Sequence, residues 1–196
     1  MGSISFSILI SAVFGISDIR KHGSGNAGAT NVLRTVGKKA AMLTFLCDVL
    51  KGVIPVVAAY FLKVPFQAML LSAFAAIAGH IFPVFFGFKG GKGVSTSFGA
   101  VIAISVITGT KWMLLTLICV WLVTVIITRY VSLGSVLVYG IYPVLIIAFF
   151  KSDFFRDYIS FCAFAVATAV LGIYMHRKNI VRLINKTESK IGQKAK

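Results

Sequence analysis

Seven apolar runs, at residues 2–17, 41–62, 66–86, 94–110, 112–128, 133–150 and 158–175, divide the chain, and polar positions gather in the breaks between them. A helix rises about 1.5 Å per residue and a hydrocarbon layer is about 30 Å thick. The pattern therefore predicts an all-α, polytopic membrane protein of about seven transmembrane helices, several of them short. The first run has the least reach, since its sixteen residues rise only about 24 Å. No Lys or Arg precedes it and no A-x-A-like site closes it, which favours an uncleaved first helix over a cleaved signal peptide. Neither an internal repeat nor a low-complexity linker interrupts the series, so residues 1–196 read as one membrane domain.

Composition supports this class. With 58% hydrophobic residues, 13% charged residues and a mean hydropathy of +0.94, the chain lies far from soluble usage, in which about a quarter of residues are charged. The net charge of +15 sharpens the topology. If all seven runs cross, one side carries Arg20, Lys21, Arg34, Lys38, Lys39, Lys89, Lys92, Arg129, Arg177, Lys178, Arg182, Lys186, Lys190, Lys194 and Lys196, fifteen cations in all. The other side carries four, Lys63, Lys111, Lys151 and Arg156, while Lys51 falls inside the second run. By the positive-inside rule the N-terminus is expected outside and the C-terminus in the cytoplasm. The excess charge then signals topology and attraction to the lipid bilayer rather than to nucleic acid. Cys47, Cys119 and Cys162 lie within apolar runs and read as packing residues.

The longest polar break after the first run is Gly23-Ser24-Gly25-Asn26-Ala27-Gly28-Ala29-Thr30-Asn31-Val32-Leu33-Arg34. Glycines let backbone N–H groups approach a ligand, short polar side chains add hydrogen bonds, and Arg34 contributes a permanent cation, which together suit a phosphate. The segment also spells G-x-G-x-x-G, but the dinucleotide fingerprint needs a strand before and a βαβ unit around it, whereas apolar runs flank it here. A second such break, Phe88-Lys89-Gly90-Gly91-Lys92-Gly93, falls on the same predicted side. It is not a Walker A loop, because Phe86 and Gly93 occupy places that need Gly and Ser or Thr. Its glycines and two ammonium groups nonetheless suit an anion.

Asp48 and Lys51, three residues apart on the second run, share a helix face. They either neutralise each other or present Lys51 to a ligand, and the sequence leaves both readings open. Arg129 and Ser132 open the sixth run, and His176 and Asn179, again three apart, follow the seventh and point into one site if the helix continues. His80 reads as a helix-end hydrogen-bonding residue.

These blocks, in this order, resemble the bacterial acyl-phosphate:glycerol-3-phosphate acyltransferases. The resemblance rests on Asp18-Ile19-Arg20-Lys21-His22-Gly23-Ser24-Gly25-Asn26 with Gly28-Ala29-Thr30-Asn31 and Arg34; on Asp48, Lys51 and Gly52; and on Gly79-His80 with Phe82-Pro83. Phe88-Lys89-Gly90-Gly91-Lys92-Gly93-Val94, Arg129, Ser132, His176, Asn179-Ile180, Arg182-Leu183 and Thr187-Glu188 complete it. Ser5 and Ser7 stand where the family carries proline and glycine, and Lys186 where it carries glycine.

The resemblance implies transfer of a fatty acyl group from acyl phosphate to the 1-hydroxyl of glycerol 3-phosphate, at the cytoplasmic face of a bacterial inner membrane, without cofactor or metal. It assigns catalysis to His176, Asn179, Ser24, Arg34 and Lys92, and substrate binding to Gly23, Gly25, Asn26, Asn31, Lys51, Lys89, Gly90, Gly91, Gly93, Arg129 and Ser132. The donor is a mixed anhydride with a good leaving group, so positioning and charge stabilisation suffice and no enzyme nucleophile is required. No H-x-x-x-x-D pair is present, since Ala27, Phe85 and Val181 follow the three histidines at that spacing. Two other classes fit parts of the pattern. A transporter for organic phosphates would show broken helices at midplane, and a lipid-binding scaffold would not need Asp48, Ser132, His176 and Asn179.

Overall fold

The computed structural model describes residues 1–151 and 155–193, and helices joined by loops make up its regular structure in that range. Its helices are α1 (Phe6–Val13), α2 (Ala29–Thr35), α3 (Lys38–Phe61), α4 (Phe66–Ile81), α5 (Val94–Ile107), α6 (Lys111–Thr128), α7 (Val131–Phe149), α8 (Phe155–Met175) and α9 (Arg177–Ile184). Short 3-10 turns at Ile19–Lys21 and Val84–Phe86 follow α1 and α4.

Five helical segments among the described residues are long and apolar enough to cross a membrane: α3, α4 with the turn after it, α6, α7 and α8. The other two predicted runs are shorter than a comfortable span. The first contracts to the eight residues of α1, which rise about 12 Å. Gly15, at φ +91°, breaks that run before it can lengthen. The fourth becomes α5, fourteen residues rising about 21 Å, bracketed by Gly93 and Gly109 at positive φ.

The core forms where α3, α4, α5, α7 and α8 meet, around Val56, Ala73, Ala100, Ile104, Phe161 and Ala165. Small residues bring α3 and α5 together: a Cβ on Gly52 would stand 2.1 Å from the Thr96 carbonyl oxygen, and one on Gly99 would stand 2.0 Å from that of Val49. Without a hydrophobic drive between helices in lipid, such close backbone approach is the main source of attraction. Outward positions such as Leu71, Leu115, Ile126 and Val170 remain apolar and exposed, as a lipid-facing surface requires. At the end of the bundle that holds the start of α3 and the junctions before α5 and α7, α2 packs against α3, and α9 packs against α7 and α8.

Candidate active site

The first polar break folds as a loop running into α2. Gly23 and Gly25 adopt φ of +58° and +72°, a left-handed turn that side chains resist. Asn31, buried on α2, holds the loop from beneath. Its Oδ1 accepts from the Ser24 N–H at 2.9 Å, and its Nδ2 donates to the carbonyls of Ile19 at 3.2 Å and His22 at 2.9 Å. Arg20, paired with Asp18 at 2.9 Å, donates to the Phe86 carbonyl at 2.7 Å and so ties this loop to the turn after α4. That pairing keeps the Asp18 carboxyl below its ordinary pKa.

The second break lies along the carboxyl end of α4. The N–H groups of Gly90 and Gly91 donate to the carbonyls of Ile81 and His80 at 3.1 and 3.2 Å. Glycine is required at both positions by proximity, because an added Cβ would fall 2.0 Å from the His80 carbonyl oxygen at Gly90 and 2.1 Å from His80 Nε2 at Gly91. Lys92 then projects across the site and donates to Asn179 Oδ1 on α9.

A network closes around that bond. Asn179 Nδ2 donates to Glu188 Oε1 at 2.6 Å, Ser132 Oγ at the start of α7 donates to the same oxygen at 2.8 Å, and Arg182 Nε donates to Oε2 at 2.7 Å. Burial alone would raise the Glu188 pKa, but its three donors outweigh it and hold the carboxyl below the ordinary value. Arg34 reaches the same tail, donating to the Ser189 carbonyl at 3.0 Å. His176 is buried beside Tyr139, and its Nδ1 lies 2.7 Å from the Gly172 carbonyl oxygen. A carbonyl only accepts, so Nδ1 carries the hydrogen and Nε2 keeps its lone pair.

Three cations, Lys92, Arg34 and Arg182, thus share one carboxylate. Burial, more than this crowding, governs the ionisation of the site. Burial pulls the Lys92 ammonium down to about 8, with Glu188 opposing and Arg182 and Arg34 adding to the fall. Burial, then the Lys92 charge, pushes His176 down to about 4, so its ring is neutral at physiological pH. Burial also lowers Arg34, which as a guanidinium stays charged. Unbalanced positive charge in a hydrogen-bonding frame is an anion site.

An apolar groove of about 240 Å³ runs between α5, α6 and α7, with Phe45 of α3 and Thr168 of α8 also on its wall, and its Tyr139 stands beside His176. Val94, Ser95 and Ser97 line it immediately beyond Lys92, and Ser135, Tyr139 and Tyr142 continue it one face down from Ser132.

The structure brings Arg34, Lys92, Ser132, His176 and Asn179 to one region. Ser24, exposed, and Asn26, partly buried, lie on the first loop, and Lys89 is exposed beside the second. Gly93, at φ +84°, caps α5. Five of the expected substrate-binding residues make internal contacts. Asn31 spends its carboxamide on the loop, and Gly90 and Gly91 spend their N–H groups on α4. Arg129 clamps the tail, donating to the Ile191 carbonyl at 3.2 Å while its own carbonyl accepts the Ile191 N–H at 2.8 Å. Lys51 is 2% exposed and pairs with Asp48 at 2.9 Å. Glu188 and Arg182 are the residues to which sequence reasoning gave no role. The available signal was that Glu188 is the only acid in a tail otherwise rich in cations.

Comparison with known proteins follows the same lines. A family model described as Glycerol-3-phosphate acyltransferase matches residues 1–186. The glycerol-3-phosphate acyltransferase of Proteus mirabilis (strain HI4320) is 46% identical over 197 aligned residues, covering 100% of this chain and 84% of that protein. Its counterpart in Neisseria meningitidis serogroup B (strain ATCC BAA-335 / MC58) is 41% identical, with 98% and 92% covered. Among solved structures, the chain is similar to PlsY (YgiH), an integral membrane glycerol 3-phosphate acyltransferase, in its glycerol 3-phosphate form. That similarity has a TM-score of 0.84 at 38% identity over 97% of this chain and 90% of the other. The lysophosphatidic acid form of the same protein gives a TM-score of 0.81 at 37% identity, with the same coverage.

Proposed function

Because the chain belongs to the glycerol-3-phosphate acyltransferase family, we propose that it transfers a fatty acyl group from acyl phosphate to the 1-hydroxyl of glycerol 3-phosphate. The products are 1-acylglycerol 3-phosphate (lysophosphatidate) and inorganic phosphate. The observation that carries this reading is the frame of Lys92, Asn179, Glu188 and Ser132 next to an apolar groove whose lining residue Tyr139 stands beside His176. Such a site takes a phosphate at its head and an acyl chain below. The similar PlsY structures, described with glycerol 3-phosphate and with lysophosphatidic acid, support a substrate and a product of this kind.

In this mechanism Arg34, Lys92 and the first loop, through Ser24, Asn26, Gly23 and Gly25, hold the two phosphates. Lys89 adds charge at the rim. The glycerol hydroxyl oxygen attacks the acyl carbonyl, a new carbon–oxygen ester bond forms, and the bond from the carbonyl carbon to the phosphate oxygen breaks. The hydroxyl proton ends on the released phosphate. His176, neutral and fixed in one tautomer by Gly172, offers Nε2 to orient the hydroxyl. Asn179 and Lys92 stabilise the negative charge that develops on the acyl and phosphate oxygens. Metal and cofactor take no part in these steps.

The topology that goes with this reading has seven membrane crossings, α1 and α5 being short ones. The N-terminus is outside and the site lies in the cytoplasm, at the inner membrane of a bacterium. The fifteen cations that the sequence pattern assigns to the site's side, of which Lys194 and Lys196 lie outside the described residues, against four on the other support it. The decisive experiment supplies purified protein with acyl phosphate and glycerol 3-phosphate and detects lysophosphatidate. Product with acyl phosphate and none with acyl-CoA is expected, and equal use of acyl-CoA would overturn the donor assignment.

A further inference from the structure

Asp48, Lys51 and His80 form a cluster for which the chemistry above has no use. They are 1%, 2% and 6% exposed, on the facing helices α3 and α4. Asp48 Oδ1 lies 2.9 Å from Lys51 Nζ and 3.5 Å from His80 Nδ1. Lys51 also donates to the Ile4 carbonyl at 2.8 Å, which draws the N-terminal segment over the cluster. Gly2 and Gly79 permit that cover, since a Cβ on Gly2 would meet the Ala76 carbonyl oxygen at 2.6 Å.

A buried pair that only neutralised itself would need Asp48 and Lys51 and nothing more. The third member changes the picture, because His80 is the residue on which the second glycine loop rests. Its carbonyl accepts the Gly91 N–H, and its ring fills the space in which a Gly91 side chain would stand. A Cβ there would lie 2.1 Å from Nε2 and 2.7 Å from the Ala27 carbonyl oxygen, so the first loop meets the second at this ring. Lys92 is the next residue.

We infer that His80, oriented by Asp48 and backed by Lys51, is a positioning residue that sets the height of Gly90 and Gly91 and so delivers the Lys92 ammonium to the phosphate frame. The inference rests on the reading of Lys92 as a phosphate holder. The Asp48 carboxylate, 3.5 Å from Nδ1, flanks the ring on one side and Gly91 bounds it on the other, so Gly91 has one depth at which it can pack. Lys92 then reaches Asn179 without spending binding energy on ordering its own loop, which is preorganisation of a charged group.

Full-length protein in detergent, as wild type and as His80→Ala, His80→Asn and Gly91→Ala, tests this. The readouts are KM for glycerol 3-phosphate, kcat, the basic limb of kcat/KM and thermal unfolding. His80→Ala is expected to raise KM roughly tenfold, the worth of one charge-assisted hydrogen bond, with a much smaller change in kcat. Lys92 is faced by Glu188, Asn179 and Arg182 from the α9 end, Arg34 from α2 and His176 from α8. Once its loop relaxes it regains water, and the basic limb moves to higher pH. His80→Asn, which keeps an N–H toward Asp48, is expected to recover most of the KM. Gly91→Ala should copy the His80→Ala signature with the ring intact, and it decides the matter should His80→Ala fail to fold. Folded variants that lose only thermal stability, with KM and the limb unchanged, overturn the inference. A wild type that does not acylate glycerol 3-phosphate overturns the proposed function instead.

Discussion

Lys92 and Asn179 are joined by a hydrogen bond across 87 residues of sequence, the lysine ammonium donating to the carboxamide oxygen. This bond couples the loop before α5 to α9, and through Asn179 it reaches Glu188 and Ser132. A charge held in that way is placed rather than merely present. Lys92→Met, which keeps the stem and removes the ammonium, is expected to lower kcat/KM at least about tenfold, because a charge-assisted hydrogen bond contributes about 1.5–3 kcal/mol. Lys92→Arg is expected to restore little, since a planar guanidinium cannot occupy the position of a compact ammonium that points at one oxygen. Steady-state kinetics with acyl phosphate and glycerol 3-phosphate read both variants.

The same lysine sets the pH dependence. Its folded pKa of about 8 lies below the ordinary lysine value, so the ammonium is charged below that pH and is lost above it. For anionic substrates kcat/KM should therefore hold steady toward neutral pH and fall above about pH 8. In Lys92→Arg, whose residual rate carries a permanent charge, that limb should vanish. A limb that persists unchanged would assign it to another group.

Glu188 concentrates three donors on one carboxylate, and around it stand three cations that would otherwise repel. Glu188→Gln keeps the shape but turns one acceptor into a donor facing donors and releases Arg182. Arg182 is 40% exposed, so water absorbs part of the loss. The expected effect is about 2–3 kcal/mol in stability, seen as a lower unfolding temperature in detergent, together with a fall in activity of at least tenfold. Arg182→Ala should lower stability less.

The sequence revealed this site unevenly, and the reasons are physical. Hydropathy exposes a helix only when a run is long and apolar, so α3, α4, α6, α7 and α8 are legible. The brevity of α1 depended on Gly15 and was not. Cations and glycines marked Arg34, Lys92 and both loops as an anion site because their chemistry is local to the residue. A glycine near a charge does not by its sequence say whether it faces a ligand or a neighbouring helix. Gly90 and Gly91 are small because α4 stands against them, a fact that only the tertiary packing of His80 supplies. Lys51 was ambiguous for the same reason, since spacing placed it beside Asp48 without saying which way the shared face turned. Glu188, named in the resemblance, received no role because a lone acid in a basic tail looks like solvated charge until the tail folds back onto α7.

Asn31 offers a contrast between holding a loop and touching a substrate. Its three hydrogen bonds engage the Ser24 N–H and the carbonyls of Ile19 and His22. Asn31→Ala leaves those groups unpaired at a cost of about 1–3 kcal/mol. Asn31→Asp should be worse, because it sets a carboxylate against two carbonyl oxygens. Both variants should lower the unfolding temperature and raise KM together. Ser24→Ala removes an exposed hydroxyl and should lower activity with no change in unfolding temperature, which calorimetry or fluorescence in detergent will separate.

The apolar groove makes the last prediction, on chain length. Val101 on α5, Leu114 on α6 and Tyr142 on α7 are its deepest lining residues by helix position, Tyr142 standing ten residues, or about 15 Å, beyond Ser132. A chain that enters beside Lys92 must end against them. Val101→Phe fills the deep end and should shift preference toward shorter acyl phosphates, and Leu114→Ala should open it toward longer ones. Each buried methylene contributes about 0.8 kcal/mol, or about fourfold in kcat/KM, so a shift of two or three carbons is readily measured across a series of acyl phosphates. Glycerol 3-phosphate KM should not change in either variant, since neither residue touches the phosphate frame. Identical chain-length profiles for wild type and both variants would place the acyl chain elsewhere on the lipid-facing surface.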